Sequence, residues 1–182
     1  GCDETLRRMN RHYDTAEYMR IVQSLRAHFE NCAVTTDVMV GFPGETDAEF
    51  EQSLSFVESL GLAKAHVFAY SRRPGTHAAD MPGQLPASVK EARSARMIEA
   101  TDRTRAAFLA GQAGRTVGAL FETRDGGALD GYAENYTPVR VLTDEDLRGQ
   151  IRRVLITSAD GARCVGTLAP EARHDCMMEG NT

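Results

Sequence analysis

"TTDVMVGFPGETDAEF", residues 35–50, joins an apolar run to a turn and then to the start of a helix. The run begins upstream at residue 32, is rich in β-branched side chains, and contains Asp37 as its single charged residue. Such nearly continuous apolar character is typical of a strand that is covered on both faces, as in a parallel sheet. The stretch therefore predicts a buried strand that ends at Val40.

The turn after this strand combines residues that favour a sharp change of chain direction. Gly41 and Gly44 tolerate backbone conformations that other residues avoid, and Pro43 stiffens the turn. Thr46 and Glu49 have the spacing of a capping box, which predicts a helix N-terminus. Two interpretations stay open on the pattern alone. The turn is a tight strand–helix connection, or it lets a carboxylate or phosphate ligand approach bare main chain and the helix end.

The flanking segments continue the alternation of helix and strand. A capping signal at Asp14 precedes apolar residues at helical spacing, which predicts a helix over 15–29. The helix after the turn is predicted to end at Gly61, and residues 64–70 are predicted to form a second strand. This order implies a right-handed crossover and a parallel α/β layer through about residue 71.

The composition changes after that layer. Residues 71–86 contain three of the six prolines and predict a loop, while residues 87–111 predict a long helix whose exposed side is mildly basic. Beyond it, short apolar runs and a turn over 124–131 predict four or five strands of a small antiparallel barrel. The tail after Leu168 is predicted to be disordered.

Overall composition restricts the function only loosely. The formal net charge of the 182 residues is -5, which argues against wholesale nonspecific binding of nucleic acid but leaves room for a local basic patch. No run approaches the roughly 18 apolar residues of a membrane span, and the N-terminal stretch is polar, so we expect a cytoplasmic protein without a membrane partner. The spacing of the four cysteines fits no compact zinc site, and no metal site is predicted.

Three stretches resemble one enzyme family nearly word for word. They are "GCDETLRRMNRHYDTAEY" (1–18), the opening stretch, and "HVFAYSRRPGTHAADMPGQ" (66–84). They resemble the second half of the radical S-adenosylmethionine (SAM) barrel of methylthiotransferases, and residues 115–168 resemble the TRAM domain of that family. The resemblance implies an α/β fold: the C-terminal part of a (β/α)6 radical SAM partial barrel, then a long linker helix and a small antiparallel, OB-like β-barrel.

The resemblance also sets the expected domain boundaries. The expected domains are the barrel part over 1–79, the linker and long helix over 80–114, the TRAM-like barrel over 115–168 and a disordered tail over 169–182.

Within the family, the spelling of residues 1–11 and 66–76 is most similar to the branch that modifies N6-threonylcarbamoyladenosine beside the tRNA anticodon. The branch that acts on isopentenyladenosine more often has a serine where Cys2 stands. Three alternatives stay open: the isopentenyladenosine branch, a relative that modifies a ribosomal protein, and a stand-alone RNA-binding module.

The resemblance implies chemistry that belongs to cofactors. In the full-length parent, SAM and two [4Fe–4S] clusters would add a methylthio group at the 2 position of adenine, with tRNA as partner. Family members bind the clusters through cysteines early in the barrel and in an N-terminal domain, and this sequence contains none of them. We therefore expect the chain alone to be inactive and to need the missing N-terminal cluster-binding portion of the same protein.

Two groups of residues carry the expected binding, whereas no catalytic residue is assigned. The expected cofactor contacts lie at the ends of the two strands: Val40, Gly41, Phe42, Gly44, Glu45, Phe68 and Tyr70. For the two aromatic residues of the second strand, ordinary core filling is the alternative. Arginine forks suit phosphate, so RNA contacts are expected from arginines and one neighbouring asparagine. These are Arg8, Asn10, Arg11, Arg72, Arg73, Arg115, Arg140, Arg152 and Arg153.

Overall fold

The computed structural model describes residues 1–170 of the 182-residue chain. These residues form two compact units, one made by residues 1–111 with 160–162 and the other by residues 112–159 with 163–170. Each unit has its own sheet. Most of the tail that is predicted to be disordered, residues 171–182, lies outside the described residues.

The first unit confirms the predicted alternation of helix and strand. Its elements are α1 (Asp3–Arg8), α2 (Thr15–His28), β1 (Thr35–Val40), α3 (Asp47–Ser59), β2 (Lys64–Ala69), α4 (His77–Asp80) and α5 (Ala87–Ala110). β1 and β2 pair in parallel, with Met39 opposite Phe68 and Val40 opposite Ala69. The α3 helix connects them, as the crossover predicts.

The two faces of this sheet differ. Val38 and Val40 face a core that also contains Phe50 of α3 and Met97 of α5, and these side chains are nearly fully buried. On the other face, Met39 remains 41% exposed and the adjacent Phe68 50% exposed. The prediction of a strand covered on both faces is therefore wrong for the described residues, because the second face keeps Met39 and Phe68 partly exposed.

The α5 helix packs against β1, β2 and α3. Its basic residues do not form the free, mildly basic surface that their count predicts. Arg93 is 5% exposed, and Arg96 and Arg103 form ion pairs with Glu51 and Glu58 of α3. The acidic side of α3 thus neutralises most of this helix face.

The second unit is a closed five-stranded barrel, which confirms the predicted small barrel. Its strands are β3 (Thr116–Asp125), β4 (Ala128–Ala133), β5 (Pro138–Leu142), β6 (Ile151–Ala159) and β7 (Cys164–Leu168). They close in the order β3-β4-β5-β7-β6.

Two features of the barrel differ from the prediction. The predicted turn over 124–131 contracts to a two-residue hairpin turn at Gly126 and Gly127, and the end of β3 and the start of β4 occupy the rest of that segment. The barrel is also not wholly antiparallel. β7 inserts between β5 and β6 and pairs in parallel with β5, with Val139 opposite Cys164.

Within residues 1–170, no helix combines the length and the apolar character needed to cross a membrane.

Candidate functional site

β1 and β2 end side by side, so the segments that follow them leave the sheet at the same edge. A cavity of about 700 Å3 opens there. Aromatic side chains and the polar residues after α1 and β2 line it, among them Asn10, Arg11, Phe42, Phe68, Tyr70 and Arg73. We call it the edge cavity. Carboxyl ends of parallel strands are common ligand sites because the chain turns away from the sheet there.

The chemistry of the edge cavity suits a flat ring that carries an anionic group. Phe42 and Tyr70 pack edge to face with ring centroids 5.4 Å apart, and Phe68 adds an exposed aromatic face. Arg11 and Arg73 supply two guanidinium groups, and none of the described residues that line the cavity is acidic. Aromatic faces favour nucleobases, and guanidinium groups favour carboxylate or phosphate.

The Gly41–Glu45 turn lies beside the cavity and is stabilised by hydrogen bonds to the buried Glu45 carboxylate. The Gly41 amide donates to Glu45 Oε2 at 2.6 Å, and the same oxygen accepts from Arg93 Nη1 at 2.7 Å. Glu45 is 4% exposed. Its carboxylate is therefore engaged inside the protein, and its direct contact with a cofactor stays a prediction.

The glycines of this turn have neighbours in the fold itself. Gly41 has φ +73°, and a Cβ at this position would lie 2.4 Å from Lys90 Cγ of α5. The Gly44 amide donates to the Gly83 carbonyl at 2.8 Å, and a Cβ on Gly83 would lie 3.1 Å from Gly44 Cα. The expectation that Gly41 leaves bare main chain for a ligand thus needs correction, because the Lys90 stem occupies that space.

The predicted cofactor contacts divide into two sets. Phe42, Phe68 and Tyr70 line the edge cavity, whereas Gly41 and Glu45 build the turn beside it. Gly44 is exposed within the same turn. The remaining residue of this group, Val40, is 1% exposed in the core, and its carbonyl accepts from the Tyr70 amide at 2.9 Å. The second set therefore supports the aromatic residues of the first set.

The start of α3 is capped by its own residues. Thr46 and Glu49 form the predicted capping box, and Arg8 of α1 forms an ion pair with Glu49. Burial raises the pKa of Glu49, but hydrogen bonds from the Thr46 amide and from Arg8 outweigh it, so this pKa lies below its ordinary value. Arg8 also reaches the Pro43 carbonyl at 3.4 Å. In this structure Arg8 thus stabilises the turn, and an RNA contact by it stays a prediction.

The other RNA candidates of the first unit lie at or near the same edge. Asn10, with φ +58°, and Arg11 form the turn after α1 and line the edge cavity. Arg73 lines it from the segment after β2, and the neighbouring Arg72 is exposed there. Residues predicted for RNA and residues predicted for the cofactor therefore meet at one cavity, a convergence that the sequence analysis did not predict.

The arginines of the barrel differ in whether they are ion-paired and in which face of a strand they occupy. Arg140 Nε donates to Asp130 Oδ1 at 2.7 Å, and Arg163 Nη1 lies 2.9 Å from the same oxygen. Hydrogen bonds from Arg140 and then Arg163 hold the pKa of Asp130 below its ordinary value. Arg140 thus lies in a compensated charge group.

Arg152 and Arg153 lie on opposite faces of β6, because successive side chains of a strand alternate. Arg152 shares the inward direction of Val154 and lies 3.9 Å from Glu145. Arg153 is exposed on the outer face, opposite Gly118. The last candidate, Arg115, is exposed just before β3. The arginines of the barrel therefore do not form a single basic patch around Arg152 and Arg153.

The donor set does not fit an iron–sulfur cluster. Residues 1–170 contain no group of three or more His, Cys, Asp or Glu side chains that could hold a metal ion. Cys2 is buried, with Sγ 3.3 Å from Gln52 Oε1, and Cys32 and Cys164 lie in different units. Because thiolates ligate such clusters, no step of iron–sulfur chemistry can be assigned to these residues.

Sequence reasoning missed the roles of Lys90 and Arg93, which it counted as exposed positive charges. A signal was present, since positions 90, 93 and 97 repeat at helical spacing on the side of α5 that also contains the buried Met97. A charged residue on an apolar helix face requires a buried partner, and here that partner is Glu45.

Comparisons with known proteins show which enzymes the chain is similar to. Residues 1–57 match the Radical SAM superfamily. A tRNA-2-methylthio-N(6)-dimethylallyladenosine synthase of Maricaulis maris is 39% identical over 95% of this chain and 38% of its own length. The enzyme of that name from Mycobacterium sp. (strain MCS) is 44% identical over 99% of this chain and 36% of its own length. The enzyme of that name from Symbiobacterium thermophilum is 39% identical over 87% of this chain and 34% of its own length.

The names of these relatives do not support the expected threonylcarbamoyladenosine branch and favour the isopentenyladenosine alternative, since dimethylallyl and isopentenyl denote the same group here. The cysteine that suggested the first branch is buried, and its Sγ donates to Gln52 Oε1 at 3.3 Å. The chain spans less than two fifths of the length of the curated relatives that it matches. Over nearly its whole length, the chain is homologous to part of the tRNA-2-methylthio-N(6)-dimethylallyladenosine synthases, and its residues 1–57 are similar to the Radical SAM superfamily.

Proposed function

We propose that the chain is the C-terminal portion of a radical SAM tRNA methylthiotransferase that adds a 2-methylthio group to N6-dimethylallyladenosine. The observation that carries this proposal is the edge cavity, where three aromatic side chains and two arginines meet at the carboxyl ends of two parallel strands. The printed names of the relatives support the choice of nucleoside. SAM and two [4Fe–4S] clusters, bound by the complete protein, supply the radical chemistry.

In this proposal, the residues of the chain bind and orient nucleosides. Phe42, Phe68 and Tyr70 would hold the adenosine part of SAM, and the Val40 carbonyl, which accepts from the Tyr70 amide, fixes Tyr70 beside Phe42. These three aromatic side chains also exclude water from the adenine ring that they cover. The clusters would require ligands from the missing N-terminal cluster-binding portion, so the chain alone is expected to be inactive.

The closed barrel of the second unit is the proposed TRAM domain, and tRNA is the proposed partner in the cytoplasm. The arginines that remain available for phosphate lie on both units and include Arg11, Arg72, Arg73 and Arg153. Contacts of this kind release counterions, so binding of tRNA weakens as salt rises. Arg140 contributes less because two carboxylates already pair with it.

Nucleoside mass spectrometry of tRNA tests this function directly. We expect cells that lack the full-length gene to lose 2-methylthio-N6-dimethylallyladenosine and to accumulate N6-dimethylallyladenosine. The wild-type gene restores the modification, whereas Phe68→Ala restores less of it because the cavity loses an exposed aromatic face. Phe29→Ala is the matched control, since Phe29 is 60% exposed and does not line the edge cavity.

Two outcomes of this experiment contradict the proposal. Accumulation of N6-threonylcarbamoyladenosine without its methylthio group would assign the chain to the other branch. Unchanged tRNA nucleosides would leave an RNA-binding module or a protein-modifying enzyme as the function of the parent.

A further inference from the structure

The α5 helix reaches the ends of both strands at the edge cavity. Lys90 Nζ donates to the Tyr70 carbonyl at 3.0 Å and lies 5.9 Å from the centre of the Tyr70 ring. The stem of the same side chain occupies the space beside Gly41 in which a Cβ would stand. A single lysine thus contacts the residue that follows β1 and the residue that follows β2.

One helical turn further along α5, Arg93 binds the turn itself. Its Nη1 donates to the Glu45 carbonyl at 3.0 Å and to Glu45 Oε2 at 2.7 Å, and its Nη2 lies 2.7 Å from Asp47 Oδ1. Glu45 Oε2 also accepts from the Gly41 amide. A continuous chain of hydrogen bonds therefore runs from α5 through Glu45 to the first residue after β1.

The burial of this chain makes its geometry demanding. Arg93 and Glu45 are 5% and 4% exposed, so water replaces few of their hydrogen bonds if one partner moves. Removing one member of a buried ion pair leaves an uncompensated charge, which is far more costly than losing an exposed pair. The turn between Gly41 and Glu45 therefore has one favoured position relative to α5.

We propose that Lys90 and Arg93 are positioning residues for the nucleoside bound at the edge cavity, because together they fix the Gly41–Glu45 turn and the Tyr70 backbone against each other. This inference rests on the proposed function for the identity of the ligand, SAM. It assigns to α5 a role in ligand binding as well as the connection between the two units. Phe42 and Tyr70 are the residues through which the two positioning residues act.

The same helix provides a matched control. Arg96 lies 5.1 Å from the Phe50 ring, as Arg93 does at 5.4 Å, and forms an ion pair with Glu51. Both members of that pair are about half exposed, at 50% and 53%. Arg96→Met therefore removes an α5–α3 ion pair and a cation–π contact without touching the turn.

The first measurement is amide hydrogen exchange in the 182-residue chain. We expect Arg93→Met to accelerate exchange at Gly41 and its turn neighbours by about tenfold or more, since a charge-assisted hydrogen bond is lost. Arg96→Met is expected to change it by about twofold at most. Barrel amides of β3 to β7 serve as the internal reference. Equal acceleration in the two variants would overturn the inference.

The second measurement separates binding from turnover in the full-length enzyme. Lys90→Met keeps the stem beside Gly41 and removes only the charged group, so we expect KM for SAM to rise severalfold while kcat stays close to the wild-type value. Arg93→Met is expected to weaken the binding of SAM, and Arg93→Lys is expected to weaken it less. A fall in kcat with unchanged KM would contradict a positioning role.

The two measurements fail independently. A wild-type enzyme that does not turn over SAM contradicts the proposed function, whatever the exchange data give. Turn exchange that does not respond to Arg93→Met contradicts the positioning inference, even if SAM turnover is normal. If Arg93→Met does not fold, Lys90→Met against Arg96→Met decides the same question through the KM for SAM.

Discussion

Gly41 shows how two constraints can meet at one residue. Its φ of +73° lies in the left-handed region, and Lys90 packs against its Cα. Either constraint alone favours glycine, the first because a Cβ strains this backbone and the second because no space remains for one. The residue is therefore explained by the fold of the chain before any ligand is considered.

Substitution of Gly41 can separate these two constraints. Gly75 has φ +81° with open space around it, so Gly75→Ala is expected to cost only the backbone term, about 1–2 kcal/mol of unfolding free energy. Gly41→Ala is expected to cost more, about 2–4 kcal/mol, because the Lys90 stem must also move. Chemical denaturation of both variants measures the difference. Equal losses of unfolding free energy would mean that the Lys90 side chain moves aside without a cost.

For individual residues, the sequence predicted local contacts and missed a contact between residues far apart in the chain. The capping box of Thr46 and Glu49 was predictable because its residues are three positions apart. The burial of Arg93 was not, since its partner Glu45 is 48 positions away and only the folded chain brings them together. A count of charges cannot distinguish a buried guanidinium group from a solvated one.

Among the elements, β4 shows why a turn signal can belong to a strand. The glycines and aspartates of residues 124–131 predicted a turn, yet Gly131 lies inside β4. A Cβ at Gly131 would lie 2.0 Å from the Leu120 carbonyl oxygen, close to the register shift in β3. Glycine in a strand often marks such a close backbone approach, which a one-dimensional pattern does not reveal.

The charge group on β4 and β5 gives the barrel a dependence on acid. The pKa of Asp130 lies below its value of 3.8 in an unfolded chain because Arg140 and Arg163 bind the carboxylate. The carboxylate therefore stabilises the barrel above about pH 4, and this contribution is lost as pH falls toward the folded-state pKa. We expect Asp130→Asn to flatten the loss of stability between about pH 5 and pH 2.

Urea unfolding of the barrel across this pH range measures the effect. Arg140→Gln is the companion variant, since it removes the main donor to Asp130 and is expected to flatten the same curve. If wild type and both variants lose stability in parallel, the ion pairs do not contribute to the acid response.

For the molecule as a whole, the two units differ in how completely their sheets are closed. The barrel pairs every strand on both sides. The first unit has a two-stranded sheet, and one of its faces exposes Met39 and Phe68. The order of these elements was predictable from periodicity, but coverage of the sheet faces was not, because it depends on how elements distant in sequence pack against the sheet.

This difference predicts how the units behave when they are produced separately. We expect residues 112–170 to fold as a monomer that unfolds cooperatively, because a closed barrel leaves no strand edge unpaired. Residues 1–111 are expected to self-associate through their open sheet. Light scattering and circular dichroism of the two fragments test this, and an unfolded barrel fragment would contradict it.

The parallel pairing of β7 with β5 has a consequence for synthesis on the ribosome. Both strands that flank β7, β5 and β6, emerge before the strand that separates them. Until Leu168 has left the exit tunnel, the nascent barrel presents two unpaired edges, which invite pairing with another chain. A translational pause shortly before Cys164 would therefore prolong the period in which this protein depends on chaperones.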